Sequence, residues 1–329
     1  MRVTNVGGSL TSALALTLLA WAVRFFRAAA QSKHAAHSSD SNSSKPLGRY
    51  FASLSPAALR MLVETDPVPH LVLDVRSEEE VQQSPLPEEL QSAVHLPEAE
   101  LGSALASWPE RLSTKPAPTK DVLLVFVADK AEAMQAAAAS AAAKRFEHIL
   151  VLEGGLTAFS KAAHAQVDLN FINRDALAVL LGLAGPLSRR VPVRVLDIRR
   201  HDERALYGSI PGTLHVPASQ LPSALQMSSD QFQQTYHFPK PSAEDCVVMQ
   251  CRTNRRAAWA AQLAKDAGLQ CCLVYRQGVY GWRLQPAIKA YKSYEKGDPP
   301  PEPEAFQMEA INVGAAREEL AHLGLASPL

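Results

Sequence analysis

The chain has 329 residues, 47% of them hydrophobic, with 33 Lys+Arg balanced by 33 Asp+Glu. That length predicts two domains with extensions, and zero net charge excludes a general nucleic-acid binder, which would be basic. The four cysteines (Cys246, Cys251, Cys271 and Cys272) all lie in the C-terminal half. They are too few for a disulfide framework, and with no Cys-x-x-Cys pair or His/Cys cluster they imply no metal and no cofactor.

The N-terminal stretch differs from the rest. No acidic residue precedes Asp40, whereas Arg2, Arg24, Arg27 and Lys33 are present, and residues 32–44 are rich in Ser. This is the composition of an organelle transit peptide, for a chloroplast or a mitochondrion. Residues 3–23 carry no charge and admit a second reading, a membrane anchor, although they are short and polar for a span. Either reading sets residues 1–46 apart from the fold.

From there the elements come in two similar sets. A helical segment, Pro56 to Glu64, precedes "LVLDVRSEEEV" (71–81), a buried strand ending in Asp-x-Arg. Then follow "SAVHLPEAEL" (92–101), "DVLLVFVADKAEAMQAA" (121–137) and "ILVLEGGLTAF" (149–159). A second helical segment, Arg174 to Leu183, precedes "VRVLDIRRHDE" (193–203), "GTLHVPASQL" (212–221), "DCVVMQCRTNRRAAWAA" (245–261) and "CLVYRQGVYGW" (272–282). The same features in the same order mean an internal duplication: one domain over 47–168, a second over 169–292, and a Pro/Glu-rich tail over 293–329. Short apolar strands alternating with helices predict an α/β fold, each copy a mostly parallel sheet with helices on both faces. Ligands of such sheets bind beyond the carboxyl ends of the strands, where "QCRTNRR" (250–256) falls. In the tail, residues 315–325 read as a short amphipathic helix.

That loop places a thiol, Cys251, beside Arg252, Arg255 and Arg256, ahead of an Ala-rich helix expected to begin near Ala257. Cationic neighbours and a helix N-terminus both favour a thiolate, the nucleophilic form, and both attract an anionic substrate. The competing readings are a buried structural Cys and a solvated basic helix face. Cys246 reads as the start of the strand that leads to the loop. Cys271 and Cys272 open the next strand, where one belongs to the core and either could act as a resolving thiol. His95 and His215 hold equivalent repeat positions, which points to packing or capping. Trp282 reads as a core anchor.

The second copy, over residues 171–290, resembles the rhodanese (thiosulfate sulfurtransferase) superfamily through "VLDIRRHDE", "YGSIPGTLHVP", "VVMQCRTNRRAA" and "LVYRQGVYGW", and the duplication resembles its tandem members. Their active loop, Cys-x-x-Gly-x-Arg, becomes Cys251, Arg252, Thr253, Asn254, Arg255, Arg256. The resemblance implies a sulfurtransferase in which Cys251 forms a persulfide, residues 252–256 bind the substrate, Arg256 braces the loop and Arg252 sits at the pocket mouth. Asn254 replaces the usual Gly and is expected to keep the turn by adopting positive φ. Asp197 and Arg199 are implied to be structural, and Trp282 to lie near the pocket. A related phosphatase type carries one more residue between Cys and Arg, so the shorter spacing favours sulfur. The implied partners are a small anionic sulfur donor and a thiol or cyanide acceptor, with no nucleic acid and membrane contact only through residues 3–23. The equivalent N-terminal loop, Ala128 to Ala133, has no thiol and carries Asp129 and Glu132, which marks the first copy as degenerate. Two other functions remain open: a non-catalytic scaffold in an organelle, and a redox sensor, which would need a Cys251–Cys271 or Cys251–Cys272 disulfide.

Overall fold

A computed structural model describes residues 51–112, 117–162, 168–185, 192–286, 288–294 and 305–326, with the single positions 296, 299 and 302. The transit-peptide and anchor readings of residues 1–46 lie outside them. Among the described residues no helix is long and apolar enough to cross a membrane.

The first copy runs β1 (Ala52–Leu54), α1 (Pro56–Thr65), β2 (His70–Asp74), α2 (Glu78–Gln83), β3 (Val94–His95), α3 (Glu98–Ala104), β4 (Leu123–Val127), α4 (Ala131–Ala143), β5 (Ile149–Leu152) and α5 (Gly155–Lys161). The second runs β6 (Asn170–Ile172), α6 (Arg174–Leu180), β7 (Val193–Asp197), α7 (His201–Tyr207), β8 (Leu214–His215), α8 (Leu221–Gln226), α9 (Ser229–Tyr236), β9 (Cys246–Gln250), α10 (Arg255–Asp266) and β10 (Cys271–Tyr275). A last helix, α11 (Val313–His322), packs on α6. The expected duplication is explicit in the strand orders, β1-β5-β4-β2-β3 and β6-β10-β9-β7-β8, and every pairing is parallel. The central strands are buried end to end (Leu123–Val127 and Cys246–Gln250), as sheets covered on both faces require.

Each copy ends its β2- or β7-type strand with the same buried ion pair. Arg76 donates Nε and Nη2 to Asp74 at 2.9 and 2.8 Å, and Arg199 donates the same atoms to Asp197 at 3.0 and 2.7 Å. The guanidiniums finish on backbone carbonyls, Ser84 for Arg76 and Gly208 for Arg199. His95 and His215 each bond through Nε2 to the carbonyl of the arginine in their own copy, at 3.0 and 2.8 Å. This is the packing role that their repeat equivalence suggested. Burial pushes the His215 pKa down, so it stays neutral and donates a single N–H there.

The two copies share one apolar core along α10 and α1. Ala257, Ala260, Ala261 and Ala264 are fully buried on α10, and small side chains let helices approach closely. Trp259, also fully buried, donates its indole N–H to the carbonyl of Ala58 at 3.1 Å. The Ala-rich run after the thiol is therefore the seam by which the first copy supports the second.

Candidate active site

Cys251 directly follows β9, at the carboxyl edge of the second sheet. Asp197 is in register with Gln250, and Ile198 N–H donates to the Gln250 carbonyl at 2.9 Å, so β7 fixes the strand end that delivers the thiol. The other side of the loop is held by the turn after β10. Val279 and Tyr280 donate their N–H groups to the carbonyls of Cys251 and Arg252, both at 2.9 Å. Gly278 makes this possible: its φ is +58°, and a Cβ there would lie 2.2 Å from the Thr253 carbonyl oxygen. The helix α10 begins at Arg255, two residues earlier than expected, so its first N–H groups, which have no intrahelical partner, belong to the loop itself.

The three arginines separate. Arg256 donates Nη1 and Nη2 to the two carboxylate oxygens of Glu203, at 2.5 and 2.8 Å. Burial alone would raise the Glu203 pKa, but the hydrogen bonds and charge of Arg256 hold it at about 2. Glu203 in turn holds Arg256 protonated against its own desolvation. Arg252 turns the other way: Nη1 donates to the Lys292 carbonyl at 2.7 Å and the guanidinium stands 5.9 Å from the Tyr291 ring centre. Arg255 is exposed and donates Nη1 to the Thr65 carbonyl of the first copy at 3.2 Å. All three line the cleft with Cys251, and each has a hydrogen-bond partner of its own, which for Arg256 is a carboxylate.

The expectation for Asn254 is corrected as well. Its φ is −146°, within the range of ordinary residues, and it caps α10 without a side-chain hydrogen bond. The loop therefore has no left-handed residue at this position. Trp282 is fully buried, edge-on to Tyr275 at 6.2 Å, and is absent from the lining of the cleft at Cys251.

Cys251, itself only 1% exposed, opens on a cleft of about 530 Å³. The second copy supplies Thr253, Ser219 and Glu203 to its wall, and the first copy supplies Val68, Asp121 and His148. Burial pushes the His148 pKa down. Tyr294 and Lys296 line the cleft from the segment after β10; Tyr294 Oη donates to Asp202 at 3.2 Å and Lys296 pairs with Asp121.

The remaining cysteines are placed by register. Cys246 and Cys271, opposite each other on β9 and β10, form a disulfide, a pairing the sequence reading did not anticipate. Cys272 is a buried free thiol whose pKa is pushed up to about 11 by burial. It stands opposite Val247, so Cys251 lies four residues further on, roughly 13 Å along the strand direction. A disulfide needs Cα atoms within about 7 Å. Neither Cys272 nor the already bonded Cys271 can resolve Cys251 in this fold.

Sequence reasoning missed Glu203, although a signal existed: it stands six residues after Asp197, as Glu80 stands six after Asp74. It also missed Tyr291, Tyr294, His148 and Lys296, which lie outside every repeated motif.

A thiol at the end of a central parallel strand, held in a six-residue loop at a helix N-terminus and bordered by a second copy of the same α/β unit, defines a two-domain thiol-centred fold. The rhodanese-like domain family matches residues 55–162 and 183–285, and the chain belongs to that family. It is similar to a human thiosulfate:glutathione sulfurtransferase, 43% identical over 76 residues, which are 23% of this chain and 65% of that protein. It is also similar to a mouse thiosulfate sulfurtransferase/rhodanese-like domain-containing protein, 30% identical over 90 residues, 27% of this chain and 57% of that protein. The chain therefore spans less than two thirds of the length of either. Among solved structures it is similar to a human single-domain sulfurtransferase, 33% identical, covering 34% of this chain and 92% of that one with a TM-score of 0.30.

Proposed function

We propose that the protein is a sulfurtransferase with one active centre, Cys251, and that the first copy is a supporting domain without chemistry of its own. The observation that carries this reading is the placement of Cys251: a free thiol at the carboxyl edge of the sheet, opening on the cleft between the copies, where the first copy has Ala128. The Cys251 thiolate attacks the outer sulfur of thiosulfate. The sulfur–sulfur bond of the donor breaks, sulfite leaves with its electron pair, and a Cys251 persulfide remains. A thiolate or cyanide then attacks the outer sulfur of the persulfide, and the Cys251 thiolate is released unchanged. The human relative named for glutathione supports a low-molecular-weight thiol as the acceptor. Loop N–H groups at the start of α10 offer hydrogen bonds to the donor's sulfonate oxygens, and Arg256 holds the loop in shape through Glu203.

The test is thiocyanate formation from thiosulfate and cyanide by the full chain. Wild type turns over, and Cys251→Ser abolishes turnover while leaving the circular dichroism spectrum and melting temperature unchanged. Equal turnover in both proteins would overturn the assignment. The proposal extends to an organelle as the place of action; a reporter fused to residues 1–46 that stays in the cytosol would remove that part.

A further inference from the structure

Both ends of the active loop are tied to one short segment beyond the family match, which ends at residue 285. At the front, Arg252 Nη1 donates to the Lys292 carbonyl at 2.7 Å and its guanidinium faces the Tyr291 ring. At the back, Tyr291 Oη donates to Glu203 Oε1 at 3.0 Å, the same oxygen that accepts Arg256 Nη2 at 2.8 Å. Tyr291 is 1% exposed and stacks on Tyr207 with ring centres 3.7 Å apart. Its ring is therefore fixed independently of its hydroxyl. Glu203 is 2% exposed, so each hydrogen bond to its carboxylate replaces one from water and orients the group.

We infer that Tyr291, with Lys292, is a positioning element for Cys251. It holds the Glu203 carboxylate that grips Arg256 at the sixth loop position and seats Arg252 at the second, so that the loop stays closed around the thiol. The inference rests on the sulfurtransferase reading for its consequence in turnover, but not for its geometry. Tyr291 touches no reacting atom. It acts through Glu203 and Arg256, and releasing it loosens the loop while the sheet stays intact.

The test uses the full chain and two chemical readouts. Tyr291→Phe keeps the ring stacked on Tyr207 and removes only the hydroxyl. Iodoacetamide is used to alkylate the free thiols, and each cysteine peptide is quantified by mass. Cys251 is expected to react faster in Tyr291→Phe by about tenfold, the factor that a lost hydrogen bond to a charged group carries when it governs local opening. Cys272, the other buried free thiol, lies on β10 away from the loop and is expected to keep its slow rate. Thiosulfate turnover is expected to fall by about the same factor in kcat with little change in KM, because the thiol and its cradle are misaligned rather than the donor excluded. In a Glu203→Gln background Tyr291→Phe is expected to add nothing further. An unchanged Cys251 rate, an equal rise at Cys272, or effects that add independently of Glu203 would each overturn the inference. A wild-type protein without turnover would overturn the proposed function and leave the alkylation comparison to decide this inference alone.

Discussion

The two loops at Ala128 and Cys251 share a backbone and differ in what their side chains do with it. Leu156 N–H meets the Ala128 carbonyl at 3.0 Å as Val279 N–H meets that of Cys251 at 2.9 Å. Gly155, at φ +67°, presses on the first loop as Gly278 presses on the second. Even the acid is retained: Glu80 and Glu203 stand at the same place in their copies. In the second copy that acid is buried and takes both ends of the Arg256 guanidinium. In the first it faces solvent and takes Lys130 Nζ at 2.8 Å, with the two side chains 37% and 71% exposed. Asp129 reaches to 3.8 Å from the Arg76 guanidinium and accepts a hydrogen bond from Thr157. A cradle thus survives without a thiol or a buried brace, and the site comes from a few side chains laid on a frame that folds either way.

Removing the brace should have the largest effect. Arg256→Ala leaves the buried Glu203 carboxylate without its bidentate cation, a loss of roughly 3–5 kcal/mol in stability. Turnover should fall at least a hundredfold at a temperature where the variant is still folded. Urea unfolding and the thiocyanate assay check both numbers. The corresponding change in the first copy, Lys130→Ala, breaks only an exposed, solvent-screened pair and should leave stability nearly unchanged. Equal costs would mean that the two acids are not used differently.

The acid limb of stability sharpens the same contrast. The folded pKa of Glu203, about 2, lies below its ordinary value of 4.5, so its ionised form stabilises the fold. That contribution is fully present above about pH 4.5 and fades as pH falls through the folded value. Wild type should lose stability across that window, and Glu203→Gln should lose less of it, read as a shallower fall in melting temperature. An identical slope would mean that the pair contributes nothing to acid unfolding.

Arg255→Ala should be milder, because an exposed guanidinium on the Thr65 carbonyl contributes about 1 kcal/mol or less. A few-fold drop in turnover is expected, smaller than that of Arg256→Ala. The smallest expected effect is a null gain: Ala128→Cys in a Cys251→Ser background should not restore thiocyanate formation. Asp129 and Glu132 lie within four residues of that position, and nearby carboxylates both disfavour a thiolate and repel an anionic donor.

Much of this was legible in the sequence because duplication prints its structure twice. Two Asp-x-Arg strand ends, two His-x-Pro turns and two glycine turns give two parallel sheets with the thiol at a carboxyl edge, and the structure has them. The interactions that tune the site were less legible. Three arginines in five positions suggest charge gathered on a thiol, yet their directions depend on Glu203, Lys292 and Thr65, each 40 or more residues from the arginine it accepts from. Asn254 looked like a substitute for a left-handed Gly, but the positive φ beside the loop belongs to Gly278. The Cys246–Cys271 pairing depends on strand register, which spacing along the chain does not reveal. The Tyr291 segment lies outside the repeated motifs, so the duplication does not point to it.

The central proposal is that two equivalent backbones differ in chemistry because only one carries a thiol and the side chains that hold its loop. Ala128→Cys with Cys251 left intact puts both thiols in one molecule, each serving as the control for the other. After brief thiosulfate treatment and rapid quenching with an alkylating agent, mass measurement of the two peptides should find the added sulfur atom on the Cys251 peptide and none on the peptide containing position 128. Sulfur appearing on both at comparable rates would contradict the account.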